Sequence, residues 1–338
     1  MTDVPEKNET PAAADPVDEA PAPKTAEQLE KDRLAGEKAE RRAIDQKFQG
    51  FGYVVMPSDA KPPILDIPTR RALSEWMAEM NAKKQLRALG MSPRTRVLLD
   101  GPPGCGKTTL GHHVAARMGL PMVTVMANAI ISKYVGESAQ NIGELFRAAR
   151  QASNGVVLFF DEFDAIARNR AGGKTGHLNN SHDDGVTISL LAELDRHEGM
   201  VFAATNQPDV IDPAVQRRFN LRIDIGLPGE DERRAIVRLY MAPLVLDNAV
   251  VDALAECLSG ASPALIKDMC EAVKRGLVLS PKLQLDNALG AIVRRATLTI
   301  KPHEDMNVPK LWGGIAEQVE KLETAAEGHW PPPLPAGA

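Results

Sequence analysis

The chain has 338 residues, enough for one large or two modest domains with a sizeable core. Forty-five acidic against forty basic residues give a formal charge of −5, without the basic excess that nonspecific nucleic-acid binding needs, so nucleic acid is a disfavoured partner. Three cysteines (Cys105, Cys257, Cys270) lack C-x-x-C spacing and suggest neither a disulfide framework nor a zinc site; the start has no leader pattern and no apolar run reaches about 18 residues, which predicts a cytoplasmic chain with no membrane span.

In chain order, residues 1–24 hold five prolines and six acidic residues, a composition too poor in apolar surface to offset ordering entropy, and they predict a disordered tail. Residues 25–56 read as a charged helix and a linker. The stretch "TAEQLEKDRLAGEKAERRAIDQKF" is rich in helix formers, with Glu27 and Lys31, and Glu37 and Arg41, at i,i+4. Its apolar residues Leu29, Leu34, Ile44 and Phe48 are too sparse for a full core face, so it is either a solvated helix or a docking or coiled-coil element. Gly50, Gly52, Pro57, Pro62 and Pro63 mark the linker, and "TRRALSEWMAEMNAKKQLRALG" returns to helical periodicity, ending at Gly90.

From Thr95 onward short apolar runs alternate with helical patterns. "RVLLD" precedes a helix from Lys107, "MVTVM" a helix over 137–150, and "VVLFF" a helix near Thr187–His197; "MVFAAT" and "LRIDI" follow. Such alternation predicts an α/β fold, a parallel sheet flanked by helices, with the ligand at the carboxyl ends of the strands.

Three motifs fall at those ends. "GPPGCGKTTL" has the spacing G-x-x-x-x-G-K-[ST] of a P-loop NTPase: backbone N–H groups can curl around phosphate only where Cβ is absent, and the helix dipole aims at the anion. Gly101, Pro102, Pro103, Gly104, Cys105, Gly106, Lys107, Thr108 and Thr109 therefore form the candidate nucleotide loop, with Lys107 on the β and γ phosphates, Thr108 on magnesium, and Cys105 as a small filler. In "VVLFFDEFDA", five apolar residues suit a strand buried on both faces; Asp161 would hold the magnesium shell opposite Thr108, and Glu162 would polarise the attacking water as general base. Asn206, after the next strand, could bond both the γ-phosphate and that water, or simply cap its turn. The neighbouring "NQPD" is close to the guanine-reading motif of GTPases, but D-E-F-D in place of D-x-x-G, and a turn-forming Pro208-Asp209, argue against that reading.

"GPPGCGKTTL", "ISKYVGESAQNIGELFRAAR", "VVLFFDEFDAIARNR", "FAATNQPDVIDPAVQRRF" and "LPGEDERRAIVRLY" follow one another as in AAA ATPases, and the set resembles most the protein-remodelling members such as katanin and spastin. The resemblance covers roughly residues 95–280. It implies ATP and Mg2+ as ligands, a large α/β ATPase subdomain over 57–228 and a helical lid over 229–300, which leaves 301–338 as a C-terminal extension. It also implies a homo-oligomeric ring, usually a hexamer, acting on a protein substrate. Arg217 and Arg218 in "DPAVQRRF" read from the residues alone as a solvated basic turn; the resemblance makes them arginine fingers reaching a neighbour's ATP, where guanidinium groups stabilise spreading phosphoryl charge.

"ISKYVGES" resembles the family's first pore loop, with Lys133 and Tyr134 as the basic and aromatic pair that grips a chain, or with Tyr134 packed beneath the loop. The polar stretch 168–185 resembles by position the second pore loop; its His177, His182, Asp183 and Asp184 have no metal-ligand spacing. In the lid, Ser262 and Pro263 fit a helix start and Gly276 its stop, with Leu265, Ile266, Met269, Cys270 and Val273 on one face. Related ATPases place an arginine that touches nucleotide near that start; "GASPALI" offers none, and Lys267 is a remote substitute. Beyond residue 300 the resemblance lapses, and "HWPPPLPAGA" reads as a mobile tail or a partner ligand. Protein remodelling or threading is the expected output, with an ATP-dependent regulatory switch or a nucleic-acid-associated loader as the alternatives.

Overall fold

The computed structural model describes residues 25–134, 136–152, 154–168, 180–304 and 306–333. The acidic segment 1–24 and most of the stretch read as a second pore loop lie outside them. The chain divides into two units, 1–42 and 43–338. Helix Ala26–Lys47 begins in the first, where its residues are mostly exposed and Glu27 pairs with Lys31 at 3.8 Å.

The second unit is built on a six-stranded sheet, with β1 Gly52–Val55, β2 Arg96–Asp100, β3 Met122–Val125, β4 Val157–Phe160, β5 Met200–Thr205 and β6 Leu221–Asp224. Their order is β1-β3-β4-β5-β2-β6. All pairings are parallel except β1 with β3, so the sheet is mixed at one edge. The central strands are apolar in succession because alternate side chains serve two cores. Leu158, Phe160, Val201 and Ala203 face one cluster with Ile142, Phe146 and Leu190; Val157, Phe159, Phe202 and Ala204 face the other with Trp76, Leu110 and Val114.

β1 lies inside the segment that its glycines mark as a linker. Gly52 is there for another reason: a Cβ at this position would stand 1.9 Å from the Thr124 carbonyl oxygen, so the edge strand reaches β3 only with glycine. Gly276 was likewise expected to end a helix, yet Pro263–Lys282 runs six residues past it. The missing Cβ lets this helix cross Leu289–Thr299, since a methyl would meet Ile292 Cγ2 at 2.3 Å. The helix expected near Thr187–His197 begins earlier, at Asn180.

Helices Glu230–Met241, Asn248–Cys257, Pro263–Lys282 and Leu289–Thr299 share a separate apolar cluster. Residues after 300 join it: helix Ile315–Ala326 contributes Leu322 and Ala326, and Leu311 comes from the short turn of helix before it. Trp330 is not part of a loose tail. Its ring packs on this cluster and its indole N–H donates to the Asn287 carbonyl at 2.8 Å, so internal burial takes the aromatic that the sequence offers to a partner. Among the described residues no helix is long and apolar enough to cross a membrane.

One buried group sits in the core without a role at any cleft. His197 is 4% exposed, edge-on to Phe146, and neither ring nitrogen has a partner. Burial first, then Arg150 and Arg96, pushes its pKa from 6.5 down to about 4. The folded state therefore refuses a proton that the unfolded chain accepts below pH 6.5, and stability is lost as pH falls from there toward 4, by a total on the order of 3 kcal/mol. Urea midpoints at pH 7.5 and 5.0 should fall further for the wild type than for His197→Leu; equal falls would mean that another group carries the acid sensitivity.

Candidate active site

The loop after β2 makes three left-handed turns, at Gly101 (φ 145°), Gly104 (φ 75°) and Gly106 (φ 90°), before the helix Lys107–Arg117 begins. A Cβ on Gly101 would stand 2.2 Å from the Ile225 carbonyl oxygen, and one on Gly104 would press on Ser262 and Ala264. The loop thus takes this path, close against Ile225 and the lid helix start, only with glycine at those two positions. First-turn N–H groups of the following helix, which have no partner within it, adjoin this loop.

Lys107 extends beneath this loop. Its ammonium donates to the Gly101 carbonyl at 2.7 Å, to the Pro102 carbonyl at 2.9 Å and to Asn206 Oδ1. Burial holds its pKa below the usual lysine value, against the pull of nearby acidic groups including Asp161 and Asp100. Thr108 Oγ1 donates to Asp161 Oδ2 at 2.9 Å, and the other oxygen of Asp161 accepts the Glu162 amide at 3.0 Å. Glu162 itself is a non-glycine residue at φ 49°, ψ 45°, a conformation that turns the chain sharply after β4 and that few side chains adopt without a reason.

These groups share one cleft of about 780 Å³. Pro103, Gly104, Gly106, Lys107, Thr108, Thr109, Asp161, Glu162 and Asn206 line it. Gly101 and Pro102 supply carbonyls to Lys107 from behind. Cys105 points away into the core, where burial raises its thiol pKa.

The other expected residues lie off the cleft lining. Arg218 forms two bonds of 3.0 Å with the Asp195 carboxylate, while Arg217 is exposed and has no partner among the described residues. Lys133 is exposed, and Tyr134 is 75% exposed rather than packed beneath its loop.

Sequence reasoning missed several contributors. Asp164 accepts the Thr205 hydroxyl at 2.8 Å, and Thr205 Oγ1 in turn accepts the Gln207 amide, so this third carboxylate of the D-E-F-D run fixes the turn that presents Asn206. The D-x-x-D spacing was visible; its partner was not. Tyr53 from β1 and Tyr240, Pro263 and Ala264 from the lid side also line the cleft, and so does Lys267, which the sequence offers as a remote substitute for a lid arginine. The lid touches the loop directly: the Ala264 amide donates to the Gly104 carbonyl at 3.1 Å.

Residues 97–227 match the model of the AAA family, described as ATPases associated with various cellular activities. The proteasome-activating nucleotidase of Methanothermobacter thermautotrophicus is 32% identical over 265 residues, which are 71% of this chain and 63% of that protein. The cell division cycle protein 48 homologue of Archaeoglobus fulgidus is 34% identical over 267 residues, 75% of this chain and 35% of the relative. This chain thus spans under two thirds of the one and about a third of the other. The solved AAA domain of FIGL-1, in complex with ADP, superposes with a TM-score of 0.58 at 22% identity, covering 82% of this chain and 93% of that one, a likeness of fold.

The cradle geometry makes a prediction. Gly104→Ala adds a methyl 2.9 Å from Ser262 Oγ at a left-handed φ, so it should distort the loop and loosen the lid contact together. Isothermal titration with ATP should show affinity lowered roughly tenfold or more, with far-UV circular dichroism unchanged. Undiminished affinity would mean that the cleft tolerates a filled cradle.

Proposed function

The chain belongs to the AAA family of ATPases, and from that premise we propose that it hydrolyses ATP at this cleft and, in a ring of like subunits, turns the reaction into work on a protein. The observation that carries the first half is the convergence of Lys107, Thr108, Asp161 and Asn206 from three neighbouring strands through the Thr108–Asp161 and Lys107–Asn206 hydrogen bonds. A hydroxyl and a carboxylate are hard oxygen donors, which suit magnesium, and the glycine cradle suits phosphate. Magnesium, when bound to Thr108 and Asp161, would neutralise charge that builds up on the phosphates.

The remaining roles belong to this chain's own side chains. Lys107 exchanges its loop carbonyls for phosphate oxygens and stays tied to Asn206. Asn206 holds the attacking water in line, and the strained turn at Glu162 holds its carboxylate at the cleft, where it accepts the water's proton. Arg217, exposed and without a partner among the described residues, is the better of the two fingers for reaching a neighbouring subunit; Arg218, engaged by Asp195, steadies the turn that carries it.

A protein substrate is supported by two things. One relative described above is by name a proteasome-activating nucleotidase, and the motif resemblance to katanin and spastin points the same way. Tyr134 adds a large ring that is open to solvent beside Lys133, suited to hold a chain without choosing its sequence.

Two experiments test the two halves. Glu162→Gln should bind ATP with near-native affinity while turnover falls at least about 10²-fold, because the magnesium donors remain and only the base is lost. Wild-type turnover in this variant would remove Glu162 from the chemistry. Tyr134→Ala should keep basal ATPase within a few-fold of wild type while processing of a bound protein, or its stimulation of ATPase, collapses; Tyr134→Trp should retain both. Full processing by Tyr134→Ala would favour a regulatory switch over threading.

A further inference from the structure

The long lid helix Pro263–Lys282 is amphipathic over its first half and not over its second. Its inner side, with Ile266, Met269, Val273 and Leu277, is buried in the lid cluster, and up to Glu271 its outer side carries Lys267, Asp268 and Glu271. Beyond Glu271 acidic residues cease, and valine and leucine appear among the outer cations. Residues four apart share a helix face, so Lys274, Val278 and Lys282 form one stripe, and Arg275, Leu279 and Leu283 form the stripe beside it. Val278, Leu279, Leu283 and Leu285 are from 43% to 61% exposed.

The turn that ends this helix is ordered. Gln284 is a non-glycine residue at φ 55°, and around it the Leu283 amide donates to the Leu279 carbonyl at 3.0 Å and the Leu285 amide to the Ser280 carbonyl at 2.9 Å, so the tip is a hydrogen-bonded stop. Arg295 fastens its base through the Ser280 hydroxyl at 2.6 Å. Charge on this part of the lid is one-sided. Between Ala272 and Lys301 the basic residues are Lys274, Arg275, Lys282, Arg294, Arg295 and Lys301 against Asp286 alone, in a chain whose formal charge is −5. The Lys282 ammonium and the Arg294 guanidinium have no partner among the described residues.

We infer that this helix end and its turn form a docking surface for an anionic lipid bilayer, with Lys274, Arg275 and Lys282 at the headgroups and Leu283 and Leu285 entering the boundary beneath them. Charge complementarity selects the sign of the partner: each cation near a negative membrane surface adds attraction, and apolar side chains beside it add burial. Shape and composition select a bilayer over the other anionic partners. The apolar residues are all aliphatic and stand on the exposed turn between two helices, whereas protein interfaces favour aromatic anchors, are poor in lysine and would have to supply a hollow for this tip. A fluid bilayer receives it anywhere. Nucleic acid would engage the cations and leave the leucines in water.

The test uses the full chain and co-sedimentation with vesicles of phosphatidylcholine alone or with about a third phosphatidylserine, at low and at high salt. Wild type should pellet with the anionic vesicles, stay in solution with the neutral ones and be released by salt. Lys282→Glu, and Leu283→Asn combined with Leu285→Asn, should each weaken binding roughly tenfold or more, while ATP turnover and melting temperature keep their wild-type values. Lys282→Arg should bind like wild type. Absence of wild-type binding, or equal binding to neutral vesicles, overturns the inference. So does a loss in Lys282→Glu with the leucine pair unaffected, which marks a plain polyanion contact. If the leucine pair changes the sedimentation coefficient of the protein without vesicles, the surface joins copies of this chain and the lipid reading falls.

Discussion

A lysine ammonium taken out of water must find its hydrogen bonds in the protein or give up its charge. Lys107 finds three acceptors, two of them carbonyls of its own loop and one the amide oxygen of Asn206, and each acceptor imposes a condition on the fold. The loop carbonyls turn inward only because Gly101, Gly104 and Gly106 take left-handed conformations. Asn206 comes into reach only because β5 lies beside β2, with Thr205 opposite Asp100 in register. Thr108, the next residue, meets Asp161 only because β4 lies on the far side of β5. The strand order is therefore the arrangement that satisfies a buried cation and its neighbour. Chain order alone would have put β2 beside β3.

What the sequence disclosed follows from which interactions are local. The glycine loop, the two carboxylates after "VVLFF" and the continuous apolar strands are written in consecutive residues, because backbone curvature and two-faced burial act at short range. Gly52 and Gly276 were misread for a physical reason. A glycine that allows a turn and a glycine that allows another backbone or side chain to come close have the same letter, and only the approach of Thr124 and Ile292 distinguishes them. Part of the lid's share of the cleft was hidden by distance along the chain: Tyr240 lies more than a hundred residues after the loop it faces. Trp330 was hidden by its surroundings, since a proline-rich flank is the mark of an open tail until something covers the ring.

The arginine pair shows the limit of motif reading at finer scale. In sequence Arg217 and Arg218 are equivalent, adjacent and equally charged. In the structure one is bound in a two-pronged bridge to Asp195 and the other is open. A helix turn of Pro213–Gln216, capped by Asp212, ends just before them and sends consecutive side chains in different directions. Direction, rather than charge, is what separates a residue that builds the turn from one that the turn displays.

The glycine loop and the residue before it are each hydrogen-bonded to a neighbouring element. On the lid side the Gly104 carbonyl is taken by the Ala264 amide. On the sheet side Asp100, the residue just before Gly101, accepts from Arg222 of β6 at 2.6 Å, and Arg96 of the same β2 strand donates its amide to Asn220 Oδ1 and its guanidinium to the Arg218 carbonyl. The segment from Arg217 to Arg222 is thus fastened to β2 at both ends. A displacement of the loop would reach two places, the first turn of the lid helix and the edge strand that follows the arginine turn. Hydrogen bonds of this kind tie the positions of the groups they join, and packed interiors switch between arrangements rather than deform. A single chemical event at the β2 end therefore has the means to move the lid and the Arg217 turn together.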